Sequence, residues 1–338
     1  MIRFWRNLLL FFAVLAAVKG LVLLLSAGYY ERVIHDTRAK TLLLDRQAGR
    51  INTVFIGSSR TFTSIDPARF DSLTGHRTCS FNFGVSSFFI PHTFRTAEVL
   101  MARRDLALHY LGVELSLPRF DTSIDPFRWE AWEQPRFYLP YLFNAPPDTA
   151  GSHSRRAEQY LNTYLFTLLS PALRLRMAVA AHTDDAARRQ QFEADLTGSP
   201  DGYLPDNHGL DAGTGLGRDS AELPAYHSRS LLVYSRSGNE AVNPEYREEI
   251  DRLIGLAQRH RVRLFFYLPN RMTPEEARAL IPLFRSIDAQ HRLHLPHDPR
   301  FDALFLPRFS MDRGHVNYGG SQIYTGLMAE AFVKQMVP

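Results

Sequence analysis

The sequence predicts an α/β protein built on a parallel sheet. Two observations carry this. Short apolar runs that end in Gly, Ser or Pro alternate with stretches of helical periodicity, the pattern of strands buried on both faces. The pattern holds in two blocks, 51–118 and 241–338, which share one rhythm and are separated by a stretch that lacks it. A third feature precedes both blocks, an N-terminal apolar run long enough to cross a bilayer.

That run extends from Leu8 to Ala27 and is broken by Lys19, Gly20 and Ser26. Twenty helical residues rise about 30 Å, the thickness of a hydrocarbon core. A central lysine costs about 2.5–3.5 kcal/mol, and the thirteen Leu, Phe and Val residues return about 4–8 kcal/mol. The span therefore tolerates Lys19. A cleaved signal peptide is the competing reading, but Leu25-Ser26-Ala27 is a poor cleavage site. Arg3 and Arg6 precede the run and place the N-terminus on the cytoplasmic side. Residues 1–30 are thus expected to be a signal anchor, with Tyr29 and Tyr30 at the far interface. The rest of the chain would face outward, into the periplasm of a Gram-negative cell. Lys19 is either tolerated with local water or meets an acidic or polar group on a membrane partner.

Residues 31–50 mix charged and apolar positions without Pro and predict a connecting helix. Strands are expected at Asn52–Ile56, Thr78–Phe83 and Leu108–Leu115, with a helix over Thr93–Arg103 between the last two. Residues 119–240 are rich in Pro, Gly and aromatics and read as an insertion or cap. A helix is expected there over Ala157–Ala181, broken near Pro171, with a mobile loop near 195–225. The rhythm resumes at Asn243-Pro244, a helix start with Pro in its first turn. A strand follows at Arg261–Leu268, then a helix opened by Thr273-Pro274-Glu275-Glu276. The last helix runs from about Gly319 to Met336.

Composition narrows the chemistry. Of 338 residues, 45% are hydrophobic and 22% charged, which excludes a disordered or fibrous chain. The net charge of +4 is small for this length, and neither a basic block nor a zinc-finger spacing is present, so nucleic acid is not an expected partner. One cysteine, Cys79, excludes an internal disulfide and a Cys-cluster metal site; it reads as a small buried hydrophobe. His291, His294, His297 and Asp298 form a loose cluster whose ordinary reading is a solvated loop, and no metal or cofactor is expected.

Two short stretches carry nucleophilic chemistry. Gly57-Ser58-Ser59 lies at the carboxyl end of the first strand, where open α/β sheets bind ligands. Asp312-Arg313-Gly314-His315 lies just before the last helix, with a spacing that brings both side chains to one side of a turn. A serine hydroxyl is a weak nucleophile until a base takes its proton. His315 is the candidate base and Asp312 the group that orients it. Arg60 is a candidate holder of an anionic group or, equally, a partner in an internal salt bridge. Trp129 and Trp132 lead an aromatic cluster, with Tyr138, Tyr141 and Phe143, that reads as cap core or as a platform for sugar rings.

Together these stretches resemble the SGNH/GDSL-type hydrolases and acyltransferases over roughly 50–118 and 240–335. The resemblance implies a three-layer α/β/α fold, Ser59 as nucleophile, and an Asp312–His315 pair. It implies an oxyanion hole made by the amides of Ser59 and Gly84, the latter from Asn82-Phe83-Gly84. The family's usual third block, Gly-x-Asn-Asp, is replaced by Glu114-Leu115-Ser116. Asn270 is a candidate substitute for its missing amide donor. The anchor and the variant blocks are most similar to DltD and the alginate O-acetylation proteins. That branch implies acyl transfer or ester hydrolysis on an envelope or extracellular polysaccharide, beside a membrane-bound O-acyltransferase. Hydrolysis and transfer both remain open, and so does a non-catalytic scaffold that binds glycan or the acyltransferase.

Overall fold

The computed structural model describes residues 2–25, 32–118, 194, 198–204, 220–235 and 242–336. The chain divides into two compact units, 1–35 with 120–194, and 36–119 with 195–338. The described part of the first unit includes helix α1 (Ile2–Leu25). Among the described residues no helix is long and apolar enough to cross a membrane. The side chains of Lys19 and of residues 22–25 lie outside the description. The expected helix over 157–181 and the aromatic cluster with Trp129 and Trp132 also fall outside the described residues.

The second unit is α/β with a parallel sheet. After α2 (Arg32–Asp45) come β1 (Thr53–Gly57), α3 (Ser59–Ser64), α4 (Pro67–Leu73), β2 (Ser80–Gly84), α5 (His92–Ala102) and β3 (Tyr110–Glu114). Then follow α6 (Leu223–Leu231), α7 (Pro244–His260), β4 (Arg263–Tyr267), α8 (Pro274–Ser286), α9 (Pro299–Ala303) and α10 (Tyr318–Met336). The strands lie in the order β2-β1-β3-β4 and all pair in parallel. Gly57 stands opposite Gly84, and Glu114 opposite Tyr267, so the carboxyl ends of all four strands share one edge. The strand order reverses between β1 and β3, and the crevice beyond such a reversal is where an α/β sheet receives a ligand.

Alternation along the strands divides the core into two layers. Phe55 and Phe265 face α4 and α10, where Phe70 and Phe332 meet them edge-to-face at 4.9 and 5.7 Å between ring centres. Phe266 faces the other way, onto Phe94 of α5, which also touches Tyr246 of α7. Helices therefore cover both faces of the sheet. Helix starts follow local chemistry. Asp66, Asn243 and Thr273 each cap a helix that begins with Pro, and Thr273 with Glu276 completes a reciprocal capping box.

One edge departs from expectation. Residues 198–204, expected to belong to a mobile loop, lie fixed along edge strand β2. Asn82 N–H donates to Asp201 O at 2.8 Å, and Tyr203 and Leu204 are buried. The buried Lys40 ammonium donates to Asn82 O (2.9 Å) and to Gly202 O, and sits 4.1 Å above the Phe62 ring. Desolvation holds Lys40 well below the usual lysine range, against the opposing pull of Asp201 and Asp36. An edge strand with unpaired N–H groups is a template for aggregation, and this segment covers it.

Candidate active site

Ser59 occupies the first position of α3, one residue past the cap residue Ser58. The turn between β1 and α3 is tight because Gly57 has no side chain. A Cβ there would lie 2.0 Å from Thr61 Oγ1 and 2.6 Å from Glu114 Oε2. The Ser58 hydroxyl accepts the Arg60 N–H at 3.2 Å and donates to Glu114 Oε1 at 2.8 Å. Glu114 Oε2 accepts the Ser58 N–H at 3.3 Å and the Thr61 hydroxyl. The Glu114 carboxylate thus lies buried beneath the Gly57–Ser59 turn and fixes it.

His315 reaches the same place from the other side. Residues 310–316 form a narrow loop closed by an antiparallel bridge between Ser310 and Val316 and by Met311 N–H on His315 O (3.0 Å). Inside it Asp312 Oδ1 accepts the N–H groups of Gly314 (2.6 Å) and His315 (2.8 Å). This folds the His315 ring back over the carboxylate, with Nδ1 2.9 Å from Oδ2. His315 Nε2 then lies 2.8 Å from Ser59 Oγ. An ionised carboxylate only accepts, so Nδ1 carries the imidazole proton and Nε2 is left to accept from the Ser59 hydroxyl. Burial pushes the Asp312 carboxyl up. The bonds from the His315 ring and from the Gly314 and His315 N–H groups outweigh it and hold the group below its ordinary value. Both side chains remain about one-fifth exposed, so the site is open to an incoming molecule.

The structure thus brings Ser59, Asp312 and His315 together, and commits three other candidate residues, Gly84, Asn270 and Arg60, to internal partners. The Gly84 N–H was expected to face an oxyanion; it donates to Asn82 Oδ1 at 2.8 Å. The Asn82 side chain is buried and donates to Thr61 O (2.9 Å) and Ile65 O (2.7 Å), stitching β2 to α3. What requires glycine at 84 is the close approach of α3, since a Cβ would lie 2.3 Å from the Phe62 backbone nitrogen. Asn270 donates to Ser64 Oγ at the far end of α3 from Ser59 (2.8 Å). Arg60 is committed to internal partners: Nη2 to Glu276 at 2.9 Å and Glu114 at 3.3 Å, Nη1 to Arg271 O at 2.8 Å. Burial acts against its charge, but the two carboxylates raise its pKa. His291 bonds Leu264 O (2.8 Å), and the His297 ring stacks on Tyr234. Among the described residues no group of His, Cys, Asp and Glu is placed to hold a metal.

The sequence reading missed a turn. Val85 N–H donates to Gly57 O (3.0 Å), extending the β1–β2 ladder past both strands. The chain then turns over Val85–Phe88, closed by Phe88 N–H on Val85 O (3.1 Å), with Ser87 left-handed at φ 60°. The N–H groups of Ser59, Ser86 and Ser87 meet no acceptor among the described residues. The signal was present as a Ser-Ser pair two residues after the strand-ending Gly84.

The chain matches no family model, no curated protein and no solved structure in comparisons with known proteins.

Proposed function

We propose that this protein is a serine acyltransferase or esterase of SGNH type that works through an acyl-serine on a cell-envelope or extracellular polysaccharide. The observation that supports it is the unbroken chain from Ser59 Oγ through the His315 ring to Asp312, at 2.8 and 2.9 Å. In this reading Ser59 Oγ attacks an acyl carbonyl while its proton passes to His315 Nε2. Asp312 stabilises the imidazolium, and His315 then protonates the leaving oxygen. The acyl-serine is cleaved when His315 takes a proton from a sugar hydroxyl or from water. The tetrahedral oxyanion is held by the N–H of Ser59 and by the Ser86–Ser87 turn, in place of Gly84 and Asn270. No metal or cofactor enters.

The polysaccharide and the membrane O-acyltransferase partner rest on the resemblance. The membrane placement also rests on α1, whose apolar side chains are bare: Phe4, Leu9, Phe11, Phe12 and Leu21 are each more than half exposed. An anchor of this kind puts the catalytic unit on the outer face of the cytoplasmic membrane. One observation favours the scaffold reading, in which the fold binds glycan or the acyltransferase without chemistry. Two of the three donors that the resemblance implies are occupied by internal partners.

The test is a serine-reactive phosphonate applied to the full chain in detergent, with the adduct mapped by peptide mass. Label on Ser59, lost in Ser59→Ala and in His315→Ala while both variants melt as the parent does, is the expected result. No label on the parent chain, alone or with the membrane fraction of its source, would leave only the scaffold.

A further inference from the structure

Arg271 is the largest fully buried side chain of the protein's described residues, 1% exposed, and the triad as drawn above does not use it. It follows β4 by four residues. Its guanidinium meets four neutral oxygens. Nη1 donates to Asp312 O and to His315 O (3.0 Å), and Nη2 donates to Leu304 O (2.7 Å) and Ser310 Oγ (2.6 Å). Three of these belong to the loop that carries Asp312 and His315. In the opposite direction, the Arg271 carbonyl accepts Nη1 of Arg60, the residue next to Ser59 (2.8 Å). One residue therefore grips the acid–base loop with its side chain and the nucleophile helix with its backbone.

We propose that Arg271 is a positioning residue that sets the separation between Ser59 Oγ and His315 Nε2. The proposal rests on the serine nucleophile reading. Its physical basis is the shape of guanidinium. A planar fork bonds four acceptors in fixed directions, whereas a lysine ammonium is a point charge on a flexible stem. The choice is costly for stability alone, because a cation is buried against neutral oxygens with no carboxylate in ion-pair range among the described residues. Burial accordingly lowers Arg271 to about 10, yet it stays charged at neutral pH. A residue kept at such a cost at the junction of two catalytic loops is explained by geometry.

The experiment uses the full chain in detergent and two readouts, the rate of phosphonate labelling at Ser59 per folded molecule and the low-field proton resonance of His315 Nδ1–H. Arg271→Lys keeps the charge and loses the fork. Labelling should slow on the order of 10²-fold with an unchanged pH midpoint. The resonance should move or broaden, while in Ser59→Ala it persists. A merely stabilising arginine would lower the melting temperature and leave both readouts at parental values well below it, and that result would overturn the proposal. If Arg271→Lys does not fold, Ser310→Ala decides, since it removes one acceptor and spares the arginine. A slower rate and a shifted resonance support the proposal; parental values in both overturn it. A parent chain that takes no label would defeat the nucleophile reading instead, and the resonance in Arg271→Lys or Ser310→Ala would still decide for or against Arg271.

Discussion

The Asp312 carboxylate holds three N–H groups of its own loop in place, and that gives it a measurable signature. Its pKa is depressed below the ordinary 3.8 by the His315 ring and by two backbone N–H groups, despite burial. A carboxyl whose folded pKa lies below its unfolded value contributes stability that is complete above the unfolded value and is lost as pH falls through the folded one. Asp312→Asn should therefore melt lower than the parent by the same margin at about pH 7 and about pH 5. The margin should shrink only below about pH 4, and chemical denaturation across that range measures it. A margin that already shrinks near pH 6 would point to a different group. The same variant reverses the tautomer logic, because an amide can present N–H to Nδ1, and labelling of Ser59 should fall by about 10³–10⁴-fold. At this scale much of the site was legible. Ser59, Asp312 and His315 are marked by a strand-end glycine and by a spacing of three. A salt bridge at Arg60 was legible as one of two readings, but its partners, and the roles of Glu114 and Arg271, were not, because each bonds residues more than forty positions away that no local pattern connects.

At the scale of elements, the close packing of α3 on the end of β2 decides where Ser59 stands. The Asn82 side chain closes that contact with hydrogen bonds to three carbonyls of the α3 segment, those of Thr61, Phe62 and Ile65. Gly84 makes room for it, since any Cβ would press on the backbone of Phe62, which has no rotamer by which to yield. Gly84→Ala should destabilise the protein by about 1–3 kcal/mol, read as a lower denaturant midpoint with an unchanged slope. Because α3 must shift to relieve the clash, labelling at Ser59 should slow as well. An alanine variant with parental stability would show that the two elements are not in close contact. The four strands and helices α5 and α10 were readable from periodicity, with boundaries displaced by one or two residues, and α7 and α8 from their Pro-led starts; the short helices α3, α4, α6 and α9 were not. The strap at 198–204 was not. Its composition is that of a loop, and it is fixed by a buried lysine from α2 and by pairing to β2, both distant in sequence.

At the scale of the whole molecule, the chain combines an α/β unit whose large apolar groups are mostly buried with an N-terminal helix whose described large apolar groups mostly are not. In α4 and α10, Phe70 and Phe332 are fully covered; in α1, Leu9 is 69% and Phe4 64% exposed. Apolar side chains left this bare mark an interaction surface, and on the function proposed above that surface is covered by a lipid bilayer. The positive charges of Arg3 and Arg6 stand at one end of the helix, as expected for an end retained on the cytoplasmic side. The full chain should therefore float with phospholipid vesicles after reconstitution and resist extraction by high salt and by carbonate. A chain beginning at residue 32 should stay in the aqueous fraction. If both chains partition alike, α1 is not an anchor, and its apolar surface belongs to a protein partner instead. Labelling at Ser59 in both chains separates the two roles. If the anchor serves only to hold the catalytic unit near its polymer, the rate with a small soluble phosphonate should be the same with and without α1, while acylation of a membrane-associated glycan should depend on it.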